Sequence, residues 1–425
     1  MPDHLPQGYY AASAGPSRPF PRLAGSAKTD ICIIGGGYTG LSAALTLAQA
    51  GAQPILIEAE TIGFGASGRN GGQIHTGLNK SQTALEKWLG PVHARDLWFL
   101  TEEAKRLVRE TIARHGIDCS LRDGLVIAAH NSRSLRDLEA ETAYLSQHYR
   151  YSDARMMDAE ETAEQLGSRV YTGARLDLGG GHLQPLDYAH GLAAAADEAG
   201  ASLWEHSRAL ALEENDREVI VRCEGGTVTA DKVLLACDAF SGKIAPALER
   251  YIGYVESFIT ATEPLPPHLS ETVLPCGAAV ADTRHVLDYY RKSRDGRMLY
   301  AGRESYFSVP KDIASLVRPR MLSTFPQLEA VTIEYAWSGT VGITATRLPH
   351  LGGLSERILF AHGYSGQGVA LAGLGGKLMA EAAMGNRERF DVLARVPVHA
   401  IPGGKYFKQP LVSVALYGLK LMDSL

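Results

Sequence analysis

Apolar positions early in the chain fall in two short continuous runs, 31–34 and 54–57, on either side of a stretch with helix-forming composition. Such runs predict buried strands flanking a helix. Between 80 and 116, Trp88, Leu97, Trp98, Leu100, Leu107, Val108 and Ile112 keep helical spacing. Residues 124–129 then read as a strand and a charged helical stretch continues to about 148. Residues 186–200 predict a helix ended by Gly200. A strand near 202–206 follows, then an alternating run at 219–223 with Gly225 and Gly226 at its turn, then the apolar run 232–237. That order can return the chain to the first sheet. Between 250 and 335 tyrosine and arginine become frequent. The runs 286–292 and 297–302 flank Asp295-Gly296, a favourable hairpin turn. An antiparallel sheet is expected there. Residues 357–361 form a last strand, which leads through the loop 362–368 into a helix over 369–384. Residues 1–28, with Pro16, Pro19 and Pro21, read as an arm wrapping the surface.

The loop after the first strand has the spacing of a dinucleotide-binding fingerprint, Gly35-Gly-Gly37-Tyr-Thr-Gly40. Gly35 permits the tight turn, Gly37 allows backbone to approach a pyrophosphate, and Gly40 allows the helix to pack on the strand. The pyrophosphate would rest on free N–H groups at the helix N-terminus. Glu58 ends the second strand, where a ribose hydroxyl can be held. A glycine-rich run, GFGASGRNGGQ at 63–73, follows at once. The late loop at 362–368 is a second strand–loop–helix junction. Its N–H groups suit a developing negative charge, such as the one on the pyrimidine edge of a reduced flavin.

Composition narrows the classes. With 425 residues, 45% hydrophobic and 21% charged, the chain can bury the core of two domains and is not disordered. A net charge of −5 without a long basic run argues against nucleic acid or an anionic membrane as the partner. No secretory signal and no eighteen-residue apolar segment stand out, so a soluble cytoplasmic protein without a membrane span is expected. Cys32, Cys119, Cys223, Cys237 and Cys276 form no CxxC pair, and the histidines form no HExxH. Neither a disulfide framework nor a metal centre is expected.

Taken together, the fingerprint, Glu58, the run 63–73, RLPHLGGL at 347–354 and HGYSGQG at 362–368 resemble the FAD-dependent D-amino-acid oxidase superfamily. Within it they are most similar to the gamma-glutamylputrescine oxidase group, over about residues 9–425, including the tail from Glu388 to Gly404. The resemblance implies an α/β (α+β) architecture, a Rossmann-like FAD-binding domain with an inserted antiparallel or mixed β-sheet substrate domain. The expected division is an arm at 1–28 and an FAD-binding domain at 29–85, 150–248 and 337–388. The substrate domain would take 86–149 and 249–336, and a tail 389–425. The resemblance also implies oxidation of an amine to an imine that water hydrolyses, with electrons passed to O2 to give hydrogen peroxide, and a place in polyamine catabolism.

Carried onto this chain, the resemblance puts Gly35, Gly37 and Gly40 at the pyrophosphate and Glu58 at the ribose, with Tyr38, Thr39 and Ala59 beside them. Ser67, Arg69, Asn70, Gly71, Gly72 and Gln73 would line the flavin, and Ala209 and Leu210 would meet the adenine through their backbone. Gly366, Gln367 and Gly368 would face the pyrimidine ring, with Gly339 and Val369 in the same site. Some relatives attach FAD through a late cysteine. This chain has none after Cys276, so non-covalent FAD is expected, and His75 is only a remote candidate for a link.

Flavin amine oxidation amounts to hydride transfer from the carbon beside a neutral amine, so orientation carries most of the work and no acid–base pair is obligatory. Arg291 and Arg303 are candidates to hold a substrate carboxylate. Lys292 is nominated to assist O2, with Tyr290 and Arg291 as its catalytic neighbours. Strand alternation puts Tyr289 and Arg291 on one face and Asp288, Tyr290 and Lys292 on the other, and leaves open which face lines the cavity. Tyr254, Trp337 and Tyr364 are candidate cavity walls or core residues. The alternatives are a sarcosine-like oxidase, a dehydrogenase with another acceptor, a flavin-binding protein without an amine substrate, and a nicotinamide-dependent dehydrogenase.

Overall fold

In the computed structural model, residues 8–284, 286–305, 308–403, 410, 411, 413 and 414 are described. Strand Gly25–Ile34 is the centre of the first sheet. It pairs in parallel with Gly226–Leu235 on one side and Ile55–Ile57 on the other. Ile358–His362 and Ser202–Trp204 extend this parallel core, and His350–Gly353 closes one end antiparallel. The hairpin strands Ala209–Glu214 and Val219–Cys223 join the first half of Gly226–Leu235.

The apolar run 31–34 is continuous because both faces of this sheet are covered. Ile31 and Ile33 point into one core with Leu41, Leu47 and Leu374, while Cys32 and Ile34 point into the other with Ile55, Val221 and Val233. Helices Tyr38–Gln49, Pro185–Glu198 and Gly368–Ala383 supply the first of these cores. Two of them approach so closely that a Cβ on Gly376 would lie 2.0 Å from the Thr39 carbonyl oxygen.

The second sheet runs in the order Ile333–Ile343, Gly253–Pro264, Arg297–Ser305, Tyr289–Lys292, Ala279–Asp282, Arg122–Ala129, Gly173–His182, Gln73–Ile74. Ala154–Met157 pairs with Gly173–His182, and among the described residues the only parallel pairing in this sheet joins Ala279–Asp282 to Arg122–Ala129. The sheet is therefore mixed. Its far face carries Phe258, Tyr290, Met298 and Tyr300, covered by helix Ile313–Thr324. Its near face carries Ile259, Ala261, Leu299, Ala301 and Trp337.

Several boundaries differ from the sequence reading. The arm drawn at 1–28 ends early, because strand Gly25–Ile34 begins inside it, and it does more than wrap the surface. Tyr9 and Tyr10 of the short helix Tyr9–Ser13 are buried against the near face of the second sheet. Two rings inserted from one helical turn carry no periodic signal. Strands Ala154–Met157 and Gly173–His182, grouped with the nucleotide unit by sequence, pair in the second sheet, as does all of Ile333–Ile343. Gly179, Gly180 and Gly181 hide the strand signature of the second of these. Helix Pro91–His115, grouped with the substrate unit, packs on the helical core of the first sheet. The helical spacing over 80–116 divides into Gln82–Leu89 and Pro91–His115 at Gly90, where φ is +86° and a proline follows. Helix Glu388–Ala394 opens the tail, and Gly404 lies outside the described residues. Among the described residues no helix is long and apolar enough to cross a membrane.

Candidate cofactor and active site

The first glycine loop closes on the end of the neighbouring strand. Gly35 N–H donates to the Ile57 carbonyl at 2.9 Å, and Gly36 N–H donates to Glu58 Oε2 at 2.6 Å. Glu58 Oε1 accepts from Glu60 N–H at 2.9 Å. Burial raises the Glu58 pKa, and the backbone donors of Glu60, Gly36 and Ala59 oppose that shift. At Gly40 a Cβ would lie 1.9 Å from the Gly35 carbonyl oxygen, so only glycine fits. Ser67 Oγ accepts from Tyr38 N–H at 3.0 Å, which brings the run 63–73 onto the helix N-terminus. The Tyr38 side chain itself turns away and donates to the Pro185 carbonyl.

The run 63–73 bridges the two sheets. Asn70 Nδ2 donates to the carbonyls of Ala66 and Ser67, while its Oδ1 accepts from Gly72 N–H at 2.7 Å. Arg69 Nε donates to the Phe64 carbonyl, and its guanidinium lies over the Phe64 ring. Gln73 pairs with His182 and donates through Nε2 to the Val280 carbonyl, both in the second sheet.

The late glycine loop meets the first one. Tyr364 Oη and Thr39 Oγ1 are 2.9 Å apart, so a residue of the second loop bonds to the first turn of the first helix. Gly363 N–H donates to Asp238 Oδ1 at 2.7 Å. Asp238 is held at φ +41°, and burial raises its pKa against donors from Gly363, Ala239 and Gly342. Asn79 Nδ2 holds the Ser365 carbonyl at 2.9 Å. Gln367 is the N-cap of Gly368–Ala383, and its Oε1 is buried without a partner. Val369 is buried beside it. Gly339 lies directly over Arg69, where a Cβ would be 3.2 Å from the Arg69 Cβ. The fold thus brings together three separate segments: 35–40, 63–73 and 363–369.

Tyr289 and Arg291 face the glycine run: the Tyr289 ring packs on Gly71, and Arg291 Nε donates to the Gly71 carbonyl at 2.8 Å. Tyr290 and Lys292 point the other way and are not brought to the site. Tyr290 stacks on Tyr300 and donates to Tyr171 Oη, and Lys292 Nζ donates to the Ser270 carbonyl at 2.8 Å. Arg303 is also displaced. A register shift between Phe258 and Ile259 places it opposite Phe258, on the far face with Arg320 and Asp288. Arg291 is buried, and its guanidinium is already committed to the Gly71 carbonyl, to Tyr10 Oη at 3.2 Å and to the Lys292 carbonyl at 3.4 Å.

The nominated walls are mostly internal. Trp337 is buried, stacks edge-on against Tyr10 and donates to the Arg69 carbonyl at 3.0 Å. Tyr364 ties the two loops, and Tyr254 Oη donates to Glu249. Ala209 and Leu210 follow a segment that runs beside Glu58, where Ser207 N–H donates to the Glu58 carbonyl at 2.8 Å. The His75 pKa falls to about 4, mainly through burial, which keeps the ring neutral. A cavity of about 950 Å³ opens between the N-terminal segment, the outer side of the run and helix Pro185–Glu198. Neither fingerprint glycines nor the late loop line it, so it lies apart from the junction of the loops.

Sequence reading did not single out Asp238, Asn79 or Tyr10, and it named Tyr289 only as sharing a strand face with Arg291. Only Asp238 left a usable signal, as an acid just beyond the carboxyl end of a central parallel strand, where ligands gather in such sheets. All five cysteines are free, and among the described residues no group of side chains could hold a metal ion.

Residues 30–382 match the family model described as FAD dependent oxidoreductase (DAO). The chain is 40% identical to a probable oxidoreductase, OrdL, from Rhizobium meliloti over 96% of its own length and 95% of the relative's. It is 38% identical to the gamma-glutamylputrescine oxidoreductase of Escherichia coli over all of both chains. Among solved structures, glycine oxidase from Geobacillus kaustophilus superposes with a TM-score of 0.72 at 22% identity, covering 84% of this chain and 95% of that one. This last likeness is one of fold.

Proposed function

The chain belongs to the DAO family of FAD-dependent oxidoreductases, enzymes that act on amines, and from that premise we propose that its substrate is gamma-glutamylputrescine or a close gamma-glutamylated amine. The residues present fit FAD. The turn at Gly35 to Gly40 leaves room for no side chain at its closest approach, Glu58 ends the second strand, and the buried Gln367 Oε1 lacks a partner. In this reading the loop 35–40 and Ser67 hold the pyrophosphate, Glu58 the ribose, and the segment 206–210 the adenine. The run 69–73 and residues 366–369 hold the flavin. FAD, when bound, supplies a two-electron acceptor. With no cysteine after Cys276 and with His75 half-buried and neutral, non-covalent FAD is favoured.

The reaction oxidises the terminal carbon–nitrogen bond. The neutral primary amine loses a hydride from carbon and a proton from nitrogen, and water converts the imine to an aldehyde and ammonia. O2 takes the two electrons and two protons and leaves as hydrogen peroxide. What the chain must do is orient the carbon and keep water ordered away from it. The single observation that carries the substrate choice is the commitment of Arg291 to Gly71 and Tyr10. The near-face guanidinium nominated for a carboxylate beside the reacting carbon is taken, which favours a primary amine over a sarcosine-like amino acid. Purified enzyme supplied with gamma-glutamylputrescine, sarcosine or glycine tests this. Aldehyde, ammonia and peroxide should form fastest from the first, and faster turnover of sarcosine would overturn the assignment. Reduction of an artificial acceptor without peroxide would instead assign a dehydrogenase.

A further inference from the structure

Two peptide groups of the glycine run are gripped from outside it. The Arg69 carbonyl accepts from Trp337 Nε1 at 3.0 Å, and the Gly71 carbonyl accepts from Arg291 Nε at 2.8 Å. A trans peptide points its N–H opposite to its carbonyl. The Asn70 N–H is therefore turned away from the second sheet, and it has no partner among the described residues. The Gly72 N–H is turned the same way and rests on Asn70 Oδ1.

Tyr10 joins the two grips. Its hydroxyl accepts from Arg291 Nη2 at 3.2 Å, and its ring meets Trp337 edge-on at 5.1 Å between centroids. The fit is close at three glycines. A Cβ on Gly8 would lie 2.7 Å from the Trp337 ring, one on Gly71 would lie 2.7 Å from the Tyr289 ring, and one on Gly72 would lie 3.2 Å from Arg291 Nη2. Arg291 is 5% exposed and is paired with no carboxylate among the described residues. A guanidinium buried among carbonyls and a phenol is not explained by ion pairing, since burial without a counter-charge is costly. Its planar fork does explain it, because Nε and Nη2 reach the carbonyl and the hydroxyl from one rigid plane.

We propose that Tyr10, Arg291 and Trp337 form a strut that positions the run 69–73 for FAD, so that the N-terminal helix is a working part of the cofactor site. None of the three touches FAD in this account. They act through Arg69, Asn70, Gly71 and Gly72, and they are positioning residues. The proposal depends on FAD binding and not on which amine is oxidised, so failure of the substrate assignment leaves it standing.

The test is FAD titration of the deflavinated full chain, read by quenching of FAD fluorescence, together with the visible spectrum of each reloaded protein. Arg291→Met should weaken FAD binding about tenfold or more, the scale of losing a charge-assisted hydrogen bond, and should shift the flavin bands. Arg291→Lys, which keeps the charge but not the fork, should recover only part of the affinity. Tyr10→Phe keeps the ring against Trp337 and should weaken FAD several-fold while the FAD-free protein stays folded, its melting lowered by no more than the loss of one hydrogen bond. Wild-type affinity and bands in a folded Arg291→Met protein would overturn the proposal. If that variant fails to fold, wild-type affinity and bands in Tyr10→Phe would overturn it in the same way.

Discussion

Individual side chains in this protein divide sharply by which face of the second sheet they leave. Lys292 and Tyr290 looked reactive in sequence, yet they leave the far face, and Lys292 ends on a backbone carbonyl. Lys292→Met should therefore change turnover and the rate of flavin reoxidation by less than about twofold, as expected of a residue outside the reacting shell. A tenfold fall in reoxidation by stopped flow would contradict its placement. Asp288 shows the far face's own chemistry. Burial and neighbouring Asp282 raise its pKa to about 6, against the pull of Arg320 and Arg284. Because the folded value is raised, the stability linked to this proton is fully present below the usual aspartate range and is lost as pH rises through about 6. Asp288→Asn cannot titrate. Its stability relative to wild type should improve between pH 4 and pH 7 in denaturant melts, and a gap independent of pH would refute the linkage.

At the scale of elements, the decisive event is the meeting of two glycine loops that lie more than three hundred residues apart in the chain. Tyr364→Phe removes the hydroxyl that joins the late loop to Thr39. It should cost about 1 kcal/mol of folding stability, the usual net value of one hydrogen bond, and should lower the melting temperature of the FAD-loaded protein. An unchanged melting curve would mean that the tie is incidental. Gly40→Ala drives a Cβ into the Gly35 carbonyl and should abolish FAD retention on gel filtration. These loops were legible because strand, glycine turn, helix and terminal acid are local and ordered. The strands at 154–157 and 173–182 were not legible. The first is only four residues long, the second pairs with strands at 122–129 and 73–74 far earlier in the chain, and its three glycines break its alternation. The face of the hairpin at 289–303 also could not be read, since alternation is symmetric until a partner such as Gly71 chooses one side.

For the whole molecule, the fold resolves into a first sheet whose parallel core presents two helix N-termini and a second, mixed sheet whose near face meets the run between them. The family architecture was legible from three motifs. The grouping of segments around the second sheet was not, because the chain crosses between sheets several times and long-range pairing leaves no local mark. The account makes amine oxidation depend on the neutral amine, and alkyl amines of the lysine type titrate near 10.4. kcat/KM should therefore climb with pH about tenfold per unit through the neutral range, as a proton leaves the substrate. A flat profile would contradict the requirement for the neutral amine. The most direct test of the central claim is the visible spectrum of the purified yellow enzyme mixed with gamma-glutamylputrescine in the absence of oxygen. The account predicts rapid bleaching of the flavin bands, with peroxide formed when air is admitted. A flavin that stays fully oxidised with this amine would contradict it.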